Sequence, residues 1–174
     1  NFAGIIANGS QPVALTKIGA GTIALSGSNT FTGATTVSGG TLTLDYSTLD
    51  SGKISYSSAL ALGGGTLNLS GGSHTEVVAS VTLNAGTSSV TRTSGTAVLR
   101  MNTITRNVVA VIDFGASGIA DTDNANDATG ILGTWATVGG VDWAVNSTGG
   151  ADGPIVAYAS ANYTNLDARA GGPD

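Results

Sequence analysis

Gly21-Thr22-Ile23-Ala24-Leu25, Gly40-Thr41-Leu42-Thr43-Leu44 and Gly65-Thr66-Leu67-Asn68-Leu69 write one short pattern, Gly-Thr-(Ile/Leu)-x-Leu, three times. A looser copy reads Gly95-Thr96-Ala97-Val98-Leu99. The copies start 19, 25 and 30 residues apart. The first two intervals suit one coil of a parallel β-helix with variable loops, and the third suits one coil with a longer loop. Side chains alternate along a strand, so the third and fifth residues of each copy share a face. Stacked in register at about 4.8 Å, the copies place Ile23, Leu42 and Leu67 in one column and Leu25, Leu44 and Leu69 in another. Those six form the expected stacking core, with Thr22, Thr41 and Thr66 as an outward ladder. The Gly before each strand allows the corner.

Other alternating segments lie between the copies. Phe31, Thr35 and Val37 share a face; Ala59 to Leu62 precedes the third copy and Val77 to Leu83 follows it. Val108-Val109-Ala110-Val111-Ile112 is an unbroken apolar run, the pattern of a strand covered on both sides. Gly, Asn and Ser mark the breaks.

Composition agrees with strands. The 174 residues include 27 Gly, with charged residues at 10% and hydrophobic residues at 41%. The apolar content suffices for a core, which argues against disorder, and Thr, Val and Ile favour the pleated surface. No stretch sustains apolar residues at helical spacing, so the fold class is all-β. A net charge of -5 with only six Lys and Arg opposes nucleic-acid binding, which needs a basic face. No apolar run is long enough to span a bilayer. With zero Cys there is no disulfide, thiolate metal site or Cys nucleophile. The start at Asn1 without Met, and the Gly171-Gly172-Pro173-Asp174 end, suggest a piece of a longer chain.

Residues 17 to 44, from Lys17-Ile18-Gly19-Ala20-Gly21 through Asn29-Thr30-Phe31-Thr32-Gly33 to Gly40-Thr41-Leu42-Thr43-Leu44, closely resemble the autotransporter-associated β-strand repeat, also called the passenger-associated transport repeat. The motif is G-x-G-T-L-x-L-S-G-x-N-T-Y-T-G-x-T-T-V-x-x-G-T-L, with Phe31 in place of the common Tyr, and it covers about a sixth of the chain. Gly130 to Val138, with Asp142-Trp143-Ala144, is similar to part of the tandem modules of very large bacterial proteins of this kind. The resemblance implies a right-handed, single-stranded parallel β-helix, or β-solenoid, exported and displayed at the bacterial cell surface or secreted. The family's repeat carries no catalytic residues and is associated with export and passenger folding.

The domain expectation is therefore parallel coils over residues 1–112, including the repeat at 17–44. Residues 113–174 form further coils or an aromatic-rich cap, ending in a linker. Trp135, Trp143, Tyr158 and Tyr163 gather in that last third. They either seal a solenoid end or, if exposed in a groove, stack on sugars.

Candidate chemistry is sparse. The only His, His74, reads as an exposed loop residue, and no nucleophile elbow surrounds any Ser. Arg92, Arg100 and Arg106 recur near one another, with Arg92 and Arg100 read as solvated surface residues. Polysaccharide cleavage would need paired carboxylates at a set separation, and fold alone does not supply them. Asp121, Asp123 and Asp127 alternate with small polar residues and offer oxygen ligands to calcium. Ala125 at a ligand position and the missing turn Gly depart from the calcium loop, so a plain Asx-rich turn is favoured. Asn8, Asn68, Asn146 and Asn162 fall in Asn-x-Ser/Thr triplets.

The expected function is a structural repeat module forming a stalk, fibre or matrix by coil stacking, with no catalytic residues and no cofactor. Its partners would be copies of itself or adjacent modules, end to end, because an uncapped strand edge invites another chain. The first alternative is an adhesin binding glycans or host surfaces, and the second a polysaccharide-active β-helix enzyme.

Overall fold

The computed structural model describes residues 1–159 and 162–163. Sixteen strands and no α-helix build it. In chain order they are β1 (Leu15–Lys17), β2 (Thr22–Leu25), β3 (Thr35–Val37), β4 (Thr41–Asp45), β5 (Ala59–Leu62), β6 (Thr66–Ser70), β7 (Thr75–Val77), β8 (Ser80–Leu83), β9 (Gly86–Arg92), β10 (Val98–Arg100), β11 (Ile104–Arg106), β12 (Ala110–Phe114), β13 (Ala120–Thr122), β14 (Ala136–Val138), β15 (Asp142–Asn146) and β16 (Gly153–Ala157). The strands are short because each coil must turn a corner every few residues, and Gly supplies the corner. Gly40, between β3 and β4, has φ +61°, and a Cβ there would collide with the Gly19 and Gly21 carbonyls of the coil before. No other residue type fits there.

Successive strands wind onto three faces of a β-solenoid. The first face is β1-β3-β5-β8-β11 and the second runs β2-β4-β6-β9-β12; β7, β10 and β13 make the third. Within each face every pair is parallel. On the second face Ile23 pairs with Leu42 and Leu42 with Leu67; Leu25 pairs with Leu44 and Leu44 with Leu69. All six sit in or against one continuous core, and the leucines are buried. The first column runs on through Val90, Phe114 and Val138. The second ends where Arg92 falls beside Leu69. Outside the core the Thr ladder continues as Thr66 and Ser89, whose hydroxyls lie 2.9 Å apart.

Three expectations need correction. The looser copy at Gly95–Leu99 is not the next rung of the second face. That rung is β9, whose inward residues include Ser88 and Val90; without paired leucines it does not show the repeat pattern. Residues 98–100 belong to the third face instead. The run at Val108–Ile112 is not covered on both sides. Val108 and Val109 are 82% and 69% exposed at a corner where Val109 takes φ +58°, and only Ala110, Ile112 and Phe114 turn inward. His74 and Arg100 are not freely solvated: the His74 ring lies 5.6 Å from that of Tyr46, and Arg100 binds Asp123 and Asp152.

At the C-terminal end, read as further coils or a cap, parallel winding stops; the linker expected at Gly171–Asp174 lies outside the described residues. β14 still adds in parallel to β12, but β15 pairs antiparallel with β14, β16 with β15, and β16 with β13. These three strands tie the second face to the third, making one eleven-stranded sheet. The first face ends differently. The Asn124 side chain accepts from Ile104 N–H at 2.6 Å and donates to the Ile104 carbonyl at 2.9 Å, standing in for a neighbouring strand.

Candidate functional site

The chemistry-bearing side chains concentrate where the third face begins. The chain makes no third-face strand between β4 and β5; residues 46–58 cross as a loop, and β7 is the first rung. The middle residue of β7, Glu76, pairs with Leu99 and through it with Ala120, so alternation turns its side chain into the core. Glu76 is 0% exposed. A buried carboxylate must be hydrogen-bonded to persist, and this one has four donated bonds. Lys53 N–H donates at 3.1 and 2.8 Å, Ile54 N–H at 2.8 Å and the Tyr46 hydroxyl at 2.7 Å. Burial pushes the Glu76 carboxyl above its ordinary value, while the donors pull it back. Burial, then the Glu76 charge, raises the Tyr46 phenol far above its usual range, so it remains a donor.

Two neighbours complete the cluster. Lys53 is buried, with its ammonium donating to the Leu49 carbonyl at 2.7 Å and standing 5.3 Å from the Tyr46 ring centroid. Burial pulls its pKa down, against the nearby carboxylates. Asp50 accepts from Ser73 N–H, the Ser73 hydroxyl and His74 N–H, which hold its carboxyl below the ordinary range. Every Glu76 oxygen is thus spent on the protein, and Asp50 serves the same loop. The arrangement fastens loop 46–58 over the open head of the third face. It does not offer the paired, substrate-facing carboxylates that glycoside cleavage requires.

Beside this cluster lies a groove of about 550 Å³, lined by Asn29, Thr30, Ser55, Tyr56, His74 and Thr75 among others. A smaller cleft of about 310 Å³ is lined by Thr129, Trp143, Tyr158 and Tyr163. There the two tyrosine rings meet edge to face at 5.3 Å, and Trp143 is 36% exposed. Trp135 packs against the core instead.

The calcium candidates are placed apart in function. Asp121 lies in β13, its carboxyl raised by burial against the pull of Arg100. Asp123 pairs with Arg100 at 2.9 Å. Asp127 accepts from Thr129 N–H and hydroxyl as an Asx turn, which lowers its carboxyl. Among the described residues no three His, Asp or Glu side chains gather to hold a metal ion. Of the Asn triplets, Asn68 and Asn146 are buried and bonded, Asn146 donating to the Thr122, Asn124 and Ala151 carbonyls. Composition and local pattern missed the Glu76 cluster, because its parts lie 30 residues apart. The signal present in the sequence was the chain's single Glu, Glu76, set between Thr75 and Val77 in a short strand.

Three-faced parallel coils, joined by in-register apolar columns, define a parallel β-solenoid. Residues 15–44 match the family described as Passenger-associated-transport-repeat, so the chain carries an autotransporter-associated repeat. Over 150 residues it is 33% identical to the adhesin BmaC autotransporter of Brucella suis biovar 1 (strain 1330). That alignment takes in 79% of this chain and 4% of the relative, so the chain spans a small fraction of that protein's length. No solved structure matches the chain significantly. These findings fit a repeat of an exported surface protein or adhesin.

Proposed function

We infer that the chain is a structural spacer module of a large exported bacterial surface protein, holding other parts of that protein away from the cell. The observation that carries this is the unbroken register of the second face, Ile23-Leu42-Leu67-Val90-Phe114-Val138. A column whose rungs contact only their neighbours gains length without needing any one coil. The main chemical cluster is consumed in closing the fold, which supports a non-enzymatic role.

The test exploits the register. Val90 pairs with Phe114, so excising residues 90–113 joins Ser89 to Phe114 one coil later without shifting any rung. A spacer loses one coil, stays folded and is still displayed at the cell surface. Loss of a specific glycan or matrix interaction on that excision would overturn the reading.

The second reading, an adhesive surface, is supported by the exposed Trp143 beside the paired Tyr158 and Tyr163 rings. Aromatic faces of this kind stack on sugars. Glycan-array binding that disappears in Trp143→Ala is its expected signature; an array without hits removes it.

A further inference from the structure

The third face starts at β7, and β7 has a neighbouring strand on one side only, β10. The ladder between them alternates. The His74 carbonyl accepts from Val98 N–H, and Val78 N–H donates to the Arg100 carbonyl. The main-chain groups of Thr75 and Val77 therefore point the other way, away from β10. Among the described residues neither Thr75 nor Val77 has a main-chain hydrogen-bond partner on that side. Lys53 and Ile54 reach β7 through the Glu76 carboxylate, on the core side, and not through its backbone. The groove of about 550 Å³ lies here, with Thr75 and Val77 in its lining.

We propose that this groove takes an extended polypeptide strand, which adds to the β7 edge and continues the third-face ladder by one rung. The β7-β10-β13 ladder is already parallel and in register, so an added strand extends an interface the protein itself uses. Strand addition draws its affinity from main-chain bonds and its preference from flanking side chains. The flanking side chains here are hydroxyls such as Thr30, Thr32 and Ser55, with Tyr56 78% exposed at the rim. Among the described residues no Lys or Arg lines the groove, whereas Glu76 does and Asp50 stands beside it. An acidic strand is disfavoured, and a neutral, β-branched strand fits. This goes beyond a spacer role, since it gives the module a place to hold another polypeptide.

The probe is a synthetic peptide of alternating threonine and valine with a lysine at each end, added to the whole chain. Amide exchange is followed residue by residue by NMR. At a peptide concentration tenfold above its Kd, exchange at Thr75 and Val77 slows by about tenfold, while amides of β1 and β16 are unchanged. The same peptide N-methylated at alternate residues, so that one edge cannot donate, gives no slowing. Three results overturn the proposal. Thr75 and Val77 amides could already be protected in the free chain, the peptide could leave them unchanged, or the N-methylated peptide could protect them equally. Neutral oligosaccharides shifting the groove signals where the peptide does not would also sink it, assigning the groove to sugars.

Discussion

Glu76 lies directly beside Leu99 in the third-face ladder, a carboxylate heading an otherwise apolar column that continues to Ala120. Its charge is tolerable there because three groups of loop 46–58 donate to it. They are the N–H groups of Lys53 and Ile54 and the hydroxyl of Tyr46. A solenoid face that starts partway along the column has an open head, and here loop 46–58 is tied to it through the Glu76 side chain while the main-chain edge of β7 stays unpaired among the described residues.

Glu76→Ala strips all three donors of their acceptor inside the core. Breaking such a buried charged network costs about 3–5 kcal/mol. Glu76→Gln retains an acceptor oxygen and is expected to lose less than half as much. Urea unfolding monitored by circular dichroism measures both. Equal losses for the two variants would show that the carboxylate's bonds to Lys53 and Ile54 are not what holds the loop.

The same group sets part of the pH dependence. Burial raises the carboxyls of Glu76 and Asp121 in the folded protein, whereas in the unfolded chain they ionise near about 4. Between those values the folded state holds protons that the unfolded state has released, so stability falls as pH rises through that window. Asp45, Asp50 and Asp127 behave oppositely. Hydrogen bonds from Ser47, Ser73 and Thr129 lower their values, so their contribution is present above about pH 4 and is lost on acidification through their folded values. Thermal melts across pH 2–8 should peak at mildly acidic pH. Glu76→Gln should flatten the neutral limb, and Asp50→Asn the acid limb. A Glu76→Gln profile with an unchanged neutral limb contradicts the assignment.

Asn124 offers a cleaner test of edge closure. Its amide exchanges two bonds with the Ile104 backbone on the last strand of the first face. Asn124→Ala leaves that strand's N–H and C=O without their side-chain partner, at a cost of roughly 1–3 kcal/mol. An exposed edge also recruits other chains, so sedimentation should show more concentration-dependent association than the unchanged protein gives. A variant that associates no more than the parent and is as stable would show that Asn124 is a bystander.

How far the chain could be read follows from which contacts are local. Leu42 and Leu44 announce themselves because alternation and the Gly corner repeat within a few residues, and the register Leu25–Leu44–Leu69 follows from that repetition. β9 hid because its inward positions are Ser88 and Val90, adequate for a core but not for a pattern. The apolar run at Val108–Ile112 misled for the opposite reason: a corner placed Val108 and Val109 in solvent, overriding composition. The closure of β16 onto β13 and the Glu76 cluster were illegible because both depend on partners 20 or more residues away, joined by no shared motif. The Asx-rich turn was legible at Asp127, whose partner Thr129 is local, but the Arg100 partner of Asp123 lies a coil away and was not.

Leu44 tests the column itself, and with it the one-dimensional character of the fold. It has a leucine partner on each side, Leu25 and Leu69, and is wholly buried. Leu44→Ala removes contacts to both rungs at once and leaves a cavity, at about 2–5 kcal/mol; Leu44→Met preserves volume and should cost less than about 1.5 kcal/mol. Because each coil touches only its neighbours, the damage should stay near its source. Amide exchange should quicken in β2, β4 and β6 of Leu44→Ala, while β13 and β16, joined by their own antiparallel pairing, keep the parent's rates. Uniform acceleration through all the strands would mean that the solenoid opens as one unit, and the spacer would then owe its stiffness to global cooperativity instead of to successive rungs.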